Sequence, residues 1–316
     1  MSRSVLLQQL LLLASIAFSV GCAGTFETIG AGLDYEHAAL PDTQVVLDLP
    51  YRDDPEADPK KHKADLFLPS TTEAGWPTLV FVHGGGWTSG DRAIGVLGLE
   101  PMRNLGRFYA ARGFGVVSPS YRLQPSVTWR EQVSDIADLV VWARAEVTRR
   151  GGDPNRIFLG GHSAGAWLAA RVGLEQAPLA ERAASREMLC GLVLVSGAAY
   201  DIEDDETYAL GAKREYFVER FGGDSPDWAR EASVAANVDA PIPPALLLAA
   251  EGEPPTFHRQ ASQLEAALAA ADGASRKVKV PGQNHQRILI GMSRVDDPVS
   301  VAALEFMNAQ ECPATR

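Results

Sequence analysis

The sequence has few cysteines and a deficit of basic residues. Three cysteines among 316 residues are too few for the disulfide framework of a small secreted domain. Because 29 basic residues stand against 40 acidic ones, the net charge is -11, which excludes electrostatic attraction to nucleic acid or to an anionic lipid surface. Hydrophobic residues make up 46% of the chain, enough for a sizeable core. We therefore expect a globular protein that does not bind nucleic acid.

The apolar run at residues 5–20 is shorter than the roughly 20 residues that a membrane-spanning helix needs. It follows a single positive charge and ends in small residues, which predicts an export signal over residues 1–21. Its end resembles a bacterial lipoprotein signal, in which a small residue such as Gly21 precedes a lipidated cysteine. The resemblance implies lipidation of Cys22 and a place in the bacterial cell envelope, with the lipid as the only membrane contact. Cleavage near Ala23, giving a periplasmic or secreted protein, is the alternative.

Two further cysteines remain in the rest of the chain. Cys190 lies just before an apolar run, and Cys312 follows the last helical pattern. An oxidising compartment permits a bridge between them, but the distance between the two residues does not follow from the sequence. The pairing therefore stays open at this point.

Short apolar segments alternate with helical patterns over residues 64–316, whereas residues 22–63 are rich in proline and charge and form a lead-in. Strands are predicted at residues 44–49, 65–68, 78–82, 115–118, 156–159, 192–195, 245–249 and 277–280. Helices are predicted at residues 133–148, 164–174, 259–271 and 299–309. This alternation predicts an α/β fold with a mainly parallel central sheet and helices on both faces.

Residues 201–239 interrupt the alternation with an acidic, aromatic segment between two strands that should be neighbours. We predict that this segment forms a small lid, and we call it the lid below. A surface excursion without a role in substrate selection is the alternative, since loops tolerate insertions. Aromatic residues at the lid and beside it could form an apolar pocket wall or could simply pack within the lid: Trp87, Tyr208, Tyr216, Phe217 and Trp228.

Residues 161–165 read Gly-His-Ser-Ala-Gly between a predicted strand and a predicted helix. This strand-turn-helix context is typical of the nucleophile elbow, in which a serine hydroxyl is held exposed on a strained turn. Gly161 and Gly165 would let the strand and the helix approach each other closely. The pattern predicts Ser163 as a nucleophile, with an ordinary helix-capping serine as the alternative.

A glycine-rich loop, His83-Gly84-Gly85-Gly86, follows an earlier predicted strand. Such loops supply backbone N–H groups to an oxyanion hole, because glycines let the main chain approach the developing negative charge. The predicted donors are the N–H groups of Gly85, Gly86 and Ala164. His83 is expected to brace the glycine turn rather than to act as a base.

The expected order of a nucleophile, an acid and a histidine along this fold places the base after the last strand, where His285 lies. His258 is the competing histidine, but it begins a predicted helix and is expected to be solvated or capping. The acid is expected after the strand at residues 245–249, where the sequence contains Glu253 but no aspartate. Glu253 is therefore the predicted acid, with Glu251 and Asp201 as alternatives.

The combined motifs resemble the α/β-hydrolase family, and within it the hormone-sensitive-lipase-like and kynurenine-formamidase-like esterases. The matching segments are DLFLP at 65–69, HGGGWTSGD at 83–91, SYRL at 120–123, GGDPNRIFLGGHSAG at 151–165 and NHQ at 284–286. In such relatives the acid often lies in a stretch of the form GExDxP. Residues 250–255, AEGEPP, are similar but have glutamate in place of aspartate, which supports Glu253 as the acid.

The resemblance implies an α/β-hydrolase fold and a serine hydrolase that cleaves carboxylic esters of small molecules through a Ser-His-Glu triad and an acyl-enzyme. The alternatives are an arylformamidase or amidase and a catalytically silent binding lipoprotein. The triad alone does not distinguish an arylformamidase or amidase from an ester hydrolase. No metal or organic cofactor is expected, because none of the six histidines has a ligand spacing that these motifs leave unexplained. The natural substrate and the oligomeric state do not follow from the sequence.

Overall fold

A computed structural model describes residues 35–41, 44–71, 73–95, 99–223 and 225–312. The predicted export signal and Cys22 lie outside these residues, so their roles stay predictions. Across the described ranges, no helix combines the length and the apolar composition that a membrane span requires.

The central sheet contains all the strands that the sequence predicts. They are β1 (Val45–Pro50), β2 (Lys63–Phe67), β3 (Trp76–Val82), β4 (Gly115–Pro119), β5 (Gly152–His162), β6 (Leu189–Val195), β7 (Ala245–Ala250) and β8 (Ser275–Val280). Within the described ranges they form one eight-stranded sheet in the order β1-β2-β4-β3-β5-β6-β7-β8. The pairs β1–β2 and β2–β4 are antiparallel and the others are parallel. The predicted mainly parallel sheet is confirmed.

Ten α-helices connect or follow these strands in the described part of the chain. They are α1 (Pro101–Ala110), α2 (Trp129–Arg149), α3 (Ala164–Leu174), α4 (Ala177–Ala180), α5 (Asp205–Ala209), α6 (Arg214–Phe221), α7 (Trp228–Ala232), α8 (Pro255–Ala270), α9 (Arg287–Gly291) and α10 (Pro298–Ala309). The four predicted helices are present as α2, α3, α8 and α10. Helix α1 was not predicted. Gly106 lowers its intrinsic helix propensity, yet that glycine allows the helix to pack directly against the Phe67 ring.

Helices cover both faces of the sheet, as predicted. Leu139 of α2, Trp167 of α3 and Leu264 of α8 belong to one buried apolar cluster. Leu105 of α1 and Phe306 of α10 belong to a second cluster on the other face. Strands β3, β6 and β7 are buried along their whole length, which is why their sequences are nearly continuous apolar runs.

The lead-in segment contributes to this sheet, since β1 pairs with β2 at its edge. A buried charge network lies beneath that edge. Asp65 is fully buried and accepts hydrogen bonds from Nε of Arg92 and Nε of Arg103, each at 3.1 Å. Arg92 also pairs with the exposed carboxylate of Asp48. Because Arg92 follows the glycine-rich loop, this network holds the far end of that loop against the sheet.

The two cysteines that the sequence left open are joined in the structure. Cys190 and Cys312 form a disulfide across a sequence separation of 122 residues, with 4.8 Å between their Cα atoms. The bridge ties the segment that follows α10 to the start of β6.

Candidate active site

Ser163 lies on a sharp turn between the end of β5 and the start of α3. Its backbone has φ 55° and ψ -122°, a left-handed conformation that a non-glycine residue adopts only where the fold enforces it. A Cβ at Gly161 would overlap the backbone of Gly165, and a Cβ at Gly165 would overlap the carbonyl oxygen of Val82. The glycines of the motif are therefore required by close packing, and the strained turn presents the hydroxyl to a cavity.

Three predicted residues meet in one hydrogen-bonded line. Nε2 of His285 lies 3.0 Å from Oγ of Ser163, and Nδ1 of His285 lies 2.6 Å from Oε1 of Glu253. The side chain of Glu253 is fully buried, whereas 25% of the His285 side chain is exposed. The second carboxylate oxygen of Glu253 accepts the backbone N–H of Ala250 at 3.0 Å. The glutamate thus folds back over the turn that follows β7, and both of its oxygens are engaged.

The alternative acids and the alternative base lie elsewhere. Glu251 is exposed, accepts the N–H of Gly282 and lies 3.9 Å from Nζ of Lys279. Asp201 bonds to the side chain of Gln263 rather than to a histidine. His258 is part of α8, as expected from the sequence. The structure therefore brings Glu253, and neither of its competitors, to His285.

The glycine-rich loop passes beside Ser163. Gly85 and Gly86 both have positive φ, 122° and 59°, which favours glycine at these positions. Among the described residues, no protein acceptor takes the N–H of Gly85 or Gly86. Ala164 begins α3, where backbone N–H groups lack intrahelical acceptors. These three N–H groups are the predicted oxyanion donors, and Gly86 shares a cavity wall with Ser163.

His83 braces this loop, as predicted. Its Nδ1 lies 2.7 Å from the carbonyl oxygen of Gly84, and its ring stacks on Tyr121 with 4.4 Å between centroids. Burial lowers the pKa of His83 to about 4, so the ring is neutral near neutral pH. A neutral ring donates one N–H, which the carbonyl oxygen of Gly84 accepts.

Sequence reasoning assigned no role to His162, the residue before Ser163. Its Nε2 donates to the backbone carbonyl oxygen of His285 at 2.8 Å, and the two rings lie 4.7 Å apart. Burial first, and then the positive charge of His285 when protonated, lower the pKa of His162 to about 3. His162 thus holds the loop that carries His285 while remaining uncharged. The one sequence feature that points to His162 is its place inside the Gly-His-Ser motif. Its hydrogen-bond partner, however, lies 123 residues away in the sequence.

Ser163 and His285 open into a cavity of about 360 Å³. The described part of the lid contains the three short helices α5, α6 and α7, and it lines this cavity with Thr207, Ala212, Lys213, Tyr216 and Phe217. Trp87 also lines it, whereas Tyr208 and Trp228 pack against the core. The lid is therefore a wall of the cavity rather than a detached excursion. Within the described ranges, no group of three or more His, Cys, Asp or Glu side chains could hold a metal ion.

The sequence is similar to a known protein family and to proteins named as esterases. Residues 64–268, more than half of the chain, match the BD-FAE family model. Esterase LipC of Mycobacterium tuberculosis is 31% identical over 243 residues, which cover 73% of this chain and 58% of LipC. A probable isoprenylcysteine alpha-carbonyl methylesterase of Oryza sativa subsp. japonica is 39% identical over 134 residues, which cover 42% of this chain and 30% of that protein. The chain thus spans less than two thirds of these relatives' own length.

The fold also matches solved structures. Esterase B from Lactobacillus rhamnosis superposes with a TM-score of 0.70 at 22% identity, covering 96% of each chain. At this identity the likeness concerns the fold alone, and it agrees with the mostly parallel sheet. The strand order, the turn at Ser163 and the likeness to esterase B show the α/β-hydrolase fold, and the family match shows that the chain belongs to the BD-FAE family.

Proposed function

We propose that the chain is a carboxylic ester hydrolase that acts through Ser163, His285 and Glu253 with an acyl-enzyme intermediate. The observation that carries the proposal is the hydrogen-bonded line from Glu253 through His285 to Ser163 at the wall of a cavity. Membership of the BD-FAE family and the relatives named as esterases support an ester as the substrate.

The first half of the reaction forms the acyl-enzyme. Nε2 of His285 takes the proton of Ser163 while Oγ attacks the acyl carbonyl carbon. The resulting imidazolium is stabilised by the buried carboxylate of Glu253, which also holds Nδ1–H in place so that Nε2 faces the serine. The imidazolium then gives its proton to the departing alcohol.

The second half releases the acid. A water molecule loses a proton to His285 and attacks the acyl carbon, and Ser163 recovers its proton as the carboxylic acid leaves. Both tetrahedral intermediates carry a negative oxygen. The N–H groups of Gly85, Gly86 and Ala164 are proposed to stabilise it, because the first two have no protein acceptor in the described part of the chain and the third begins a helix.

Hydrolysis of p-nitrophenyl acetate, butyrate and octanoate tests the reaction. We expect turnover by the wild type and a loss of roughly 10⁶-fold in kcat for Ser163→Ala. His285→Gln should be similarly inactive, whereas His258→Gln, a histidine on α8 outside the line, should keep wild-type rates. A folded wild-type protein that hydrolyses none of these esters would refute the proposal.

Two further assays distinguish the alternatives. Turnover of formyl-kynurenine without turnover of the esters would replace the ester reaction with an arylformamidase activity. A fluorophosphonate that fails to label Ser163 in the folded wild type would instead indicate a silent binding protein. We expect labelling at Ser163 and its absence in Ser163→Ala.

We also propose that the protein is exported and that Cys22 is lipidated. The apolar run at residues 5–20 and the residues that end it support export. The disulfide between Cys190 and Cys312 supports export, because such bonds persist in oxidising compartments. Mass spectrometry of the mature N-terminus in the native host decides the point, and an unmodified N-terminus downstream of Cys22 would contradict lipidation.

A further inference from the structure

The lid touches the glycine-rich loop through one charged side chain. Nε of Arg220, on α6, donates a hydrogen bond to the backbone carbonyl oxygen of Gly86 at 3.2 Å. The guanidinium lies over the ring of Tyr216, 3.6 Å from its centroid, and Tyr216 lines the cavity. Arg220 is therefore placed between the cavity wall and the loop that is proposed to bind the oxyanion.

The other carbonyl groups of the loop are held from outside the lid. His83 holds the carbonyl oxygen of Gly84, and the N–H and hydroxyl of Ser89 hold that of Gly85 at 3.0 and 2.8 Å. Gln132 holds the carbonyl oxygen of Trp87 at 2.8 Å. Among the described residues, the lid reaches a carbonyl of residues 84–87 only at Gly86.

This anchor matters because glycine has wide backbone freedom. The N–H of Gly86 lies in the peptide plane that carries the carbonyl of Gly85, and the carbonyl of Gly86 lies in the next plane. Ser89 holds the first plane and Arg220 holds the second. The Gly86 N–H is therefore fixed between two anchors, and removal of Arg220 would release one of them.

Arg220 is itself held in position. Only 13% of its side chain is exposed, its Nη1 donates to the carbonyl oxygen of Tyr216 at 3.1 Å, and Glu219 pairs with it at 3.0 Å. Its own carbonyl oxygen accepts the side-chain amide of Gln124 at 3.1 Å, and the backbone N–H of Gln124 donates to Trp87. The lid helix and the loop thus form one connected unit.

We propose that Arg220 is a positioning residue that couples the lid to the oxyanion loop by fixing the Gly86 peptide. The proposal rests on the proposed function, because it assigns Gly86 a role in binding the oxyanion. Loss of one oxyanion donor typically lowers kcat by about 10²- to 10³-fold. A donor that is loosened rather than removed should cost less, so we expect Arg220→Gln to lower kcat by about 10- to 100-fold. KM should change by less than about threefold, because Arg220 is not among the residues that line the cavity.

Two variants make this test specific. Arg220→Lys keeps a cation and a donor on the same helix and should recover part of the lost kcat. Arg214→Gln is the matched control, because Arg214 also lies on α6 but stacks over Tyr208 and Trp228, at 5.1 and 5.6 Å, away from the loop. A general weakening of the lid would affect both positions, whereas the proposal predicts near-wild-type kinetics for Arg214→Gln.

Amide hydrogen exchange separates this proposal from the proposed function, because it does not require turnover. We expect faster exchange of the amides of Thr88 and Ser89, which donate to the carbonyl oxygen of Gly85 at 3.3 and 3.0 Å, in Arg220→Gln than in the wild type and in Arg214→Gln. Unchanged exchange together with unchanged kcat in Arg220→Gln would overturn the proposal while leaving the esterase intact. Faster exchange in a protein whose wild type hydrolyses no ester would keep the anchor and overturn the proposed function instead.

Discussion

Both the charge and the length of the Glu253 side chain should matter, and the charge should matter more. The carboxylate spans from the turn after β7 to His285 and also bonds to the N–H of Ala250. Glu253→Gln removes the charge and keeps the length, whereas Glu253→Asp keeps the charge and shortens the side chain by one C–C bond, about 1.5 Å. The two substitutions therefore separate the contributions of charge and reach.

The magnitudes follow from the geometry. Without the charge, the imidazolium of the proposed mechanism loses its buried counter-ion, and corresponding changes in serine hydrolases lower kcat by about 10⁴-fold. We expect Glu253→Gln to lose about 10³- to 10⁴-fold, or about 4 to 5.5 kcal/mol of transition-state stabilisation. In Glu253→Asp the contact of 2.6 Å to His285 would lengthen to about 4 Å with the backbone fixed, beyond hydrogen-bonding range. Because the charge stays nearby, we expect a smaller loss of about 10- to 100-fold.

The assay is steady-state hydrolysis of p-nitrophenyl butyrate, with kcat and KM measured separately. Glu251→Gln is the matched control, since Glu251 is two residues away and 52% of its side chain is exposed. It should retain kcat within about twofold of the wild type. The reasoning would be refuted if kcat of Glu253→Gln were within about tenfold of the wild-type value, or if kcat of Glu253→Asp equalled the wild-type value.

Three further predictions concern stability. The folded pKa of His162, about 3, lies below its ordinary 6.5, so the unfolded chain binds the proton first and stability is lost as the pH falls below 6.5. Between pH 6.5 and 4.5, the free energy of unfolding of His162→Asn should therefore fall by about 2 to 3 kcal/mol less than that of the wild type. Thermal or urea unfolding measures this difference, and equal decreases in the two proteins would contradict the prediction. Replacing Cys190 and Cys312 together by alanine should lower the free energy of unfolding by about 4 to 5 kcal/mol, because the bridge closes a loop of 122 residues. Reduction of the wild-type disulfide should have the same effect. A decrease below about 1 kcal/mol would argue against a stabilising bridge. Asp65→Asn leaves two arginines without their buried counter-ion and should lower the free energy of unfolding, measured in urea, by about 3 to 5 kcal/mol. Asp48→Asn, at an exposed position, should lower it by less than about 1 kcal/mol. Similar decreases at both positions would count against the network.

Much of the fold could be predicted because local patterns and the final structure agree. The strands at residues 78–82 and 245–249 are short apolar runs, since parallel strands buried on both faces need apolar residues throughout. Helix α1 was missed because Gly106 weakens the local preference, and only packing against Phe67 explains why a glycine is suitable there. The lead-in strand was predicted, but its pairing with β2 depends on a partner that the local pattern does not reveal.

The positions of Ser163 and His285 could be predicted because each lies in a motif whose geometry is local: a serine between two glycines after a strand, and a histidine after the last strand. The roles of His162 and Arg220 could not be predicted. Their partners, the carbonyl groups of His285 and Gly86, lie 123 and 134 residues away in the sequence. Backbone carbonyl groups are present at every residue, so no sequence pattern marks the ones that a distant side chain will reach.

The sequence by itself determined the α/β class, the turn at Ser163 and the glycine-rich loop, because periodicity and glycine placement act over a few residues. Only the tertiary structure decided which carboxylate faces His285, that Cys190 and Cys312 meet, and that the lid forms a cavity wall. Glu251 and Glu253 are chemically alike and two residues apart, and the turn after β7 buries one and exposes the other. Distance and burial between segments far apart in the chain are properties of the packed sheet, and they exist only once it has formed.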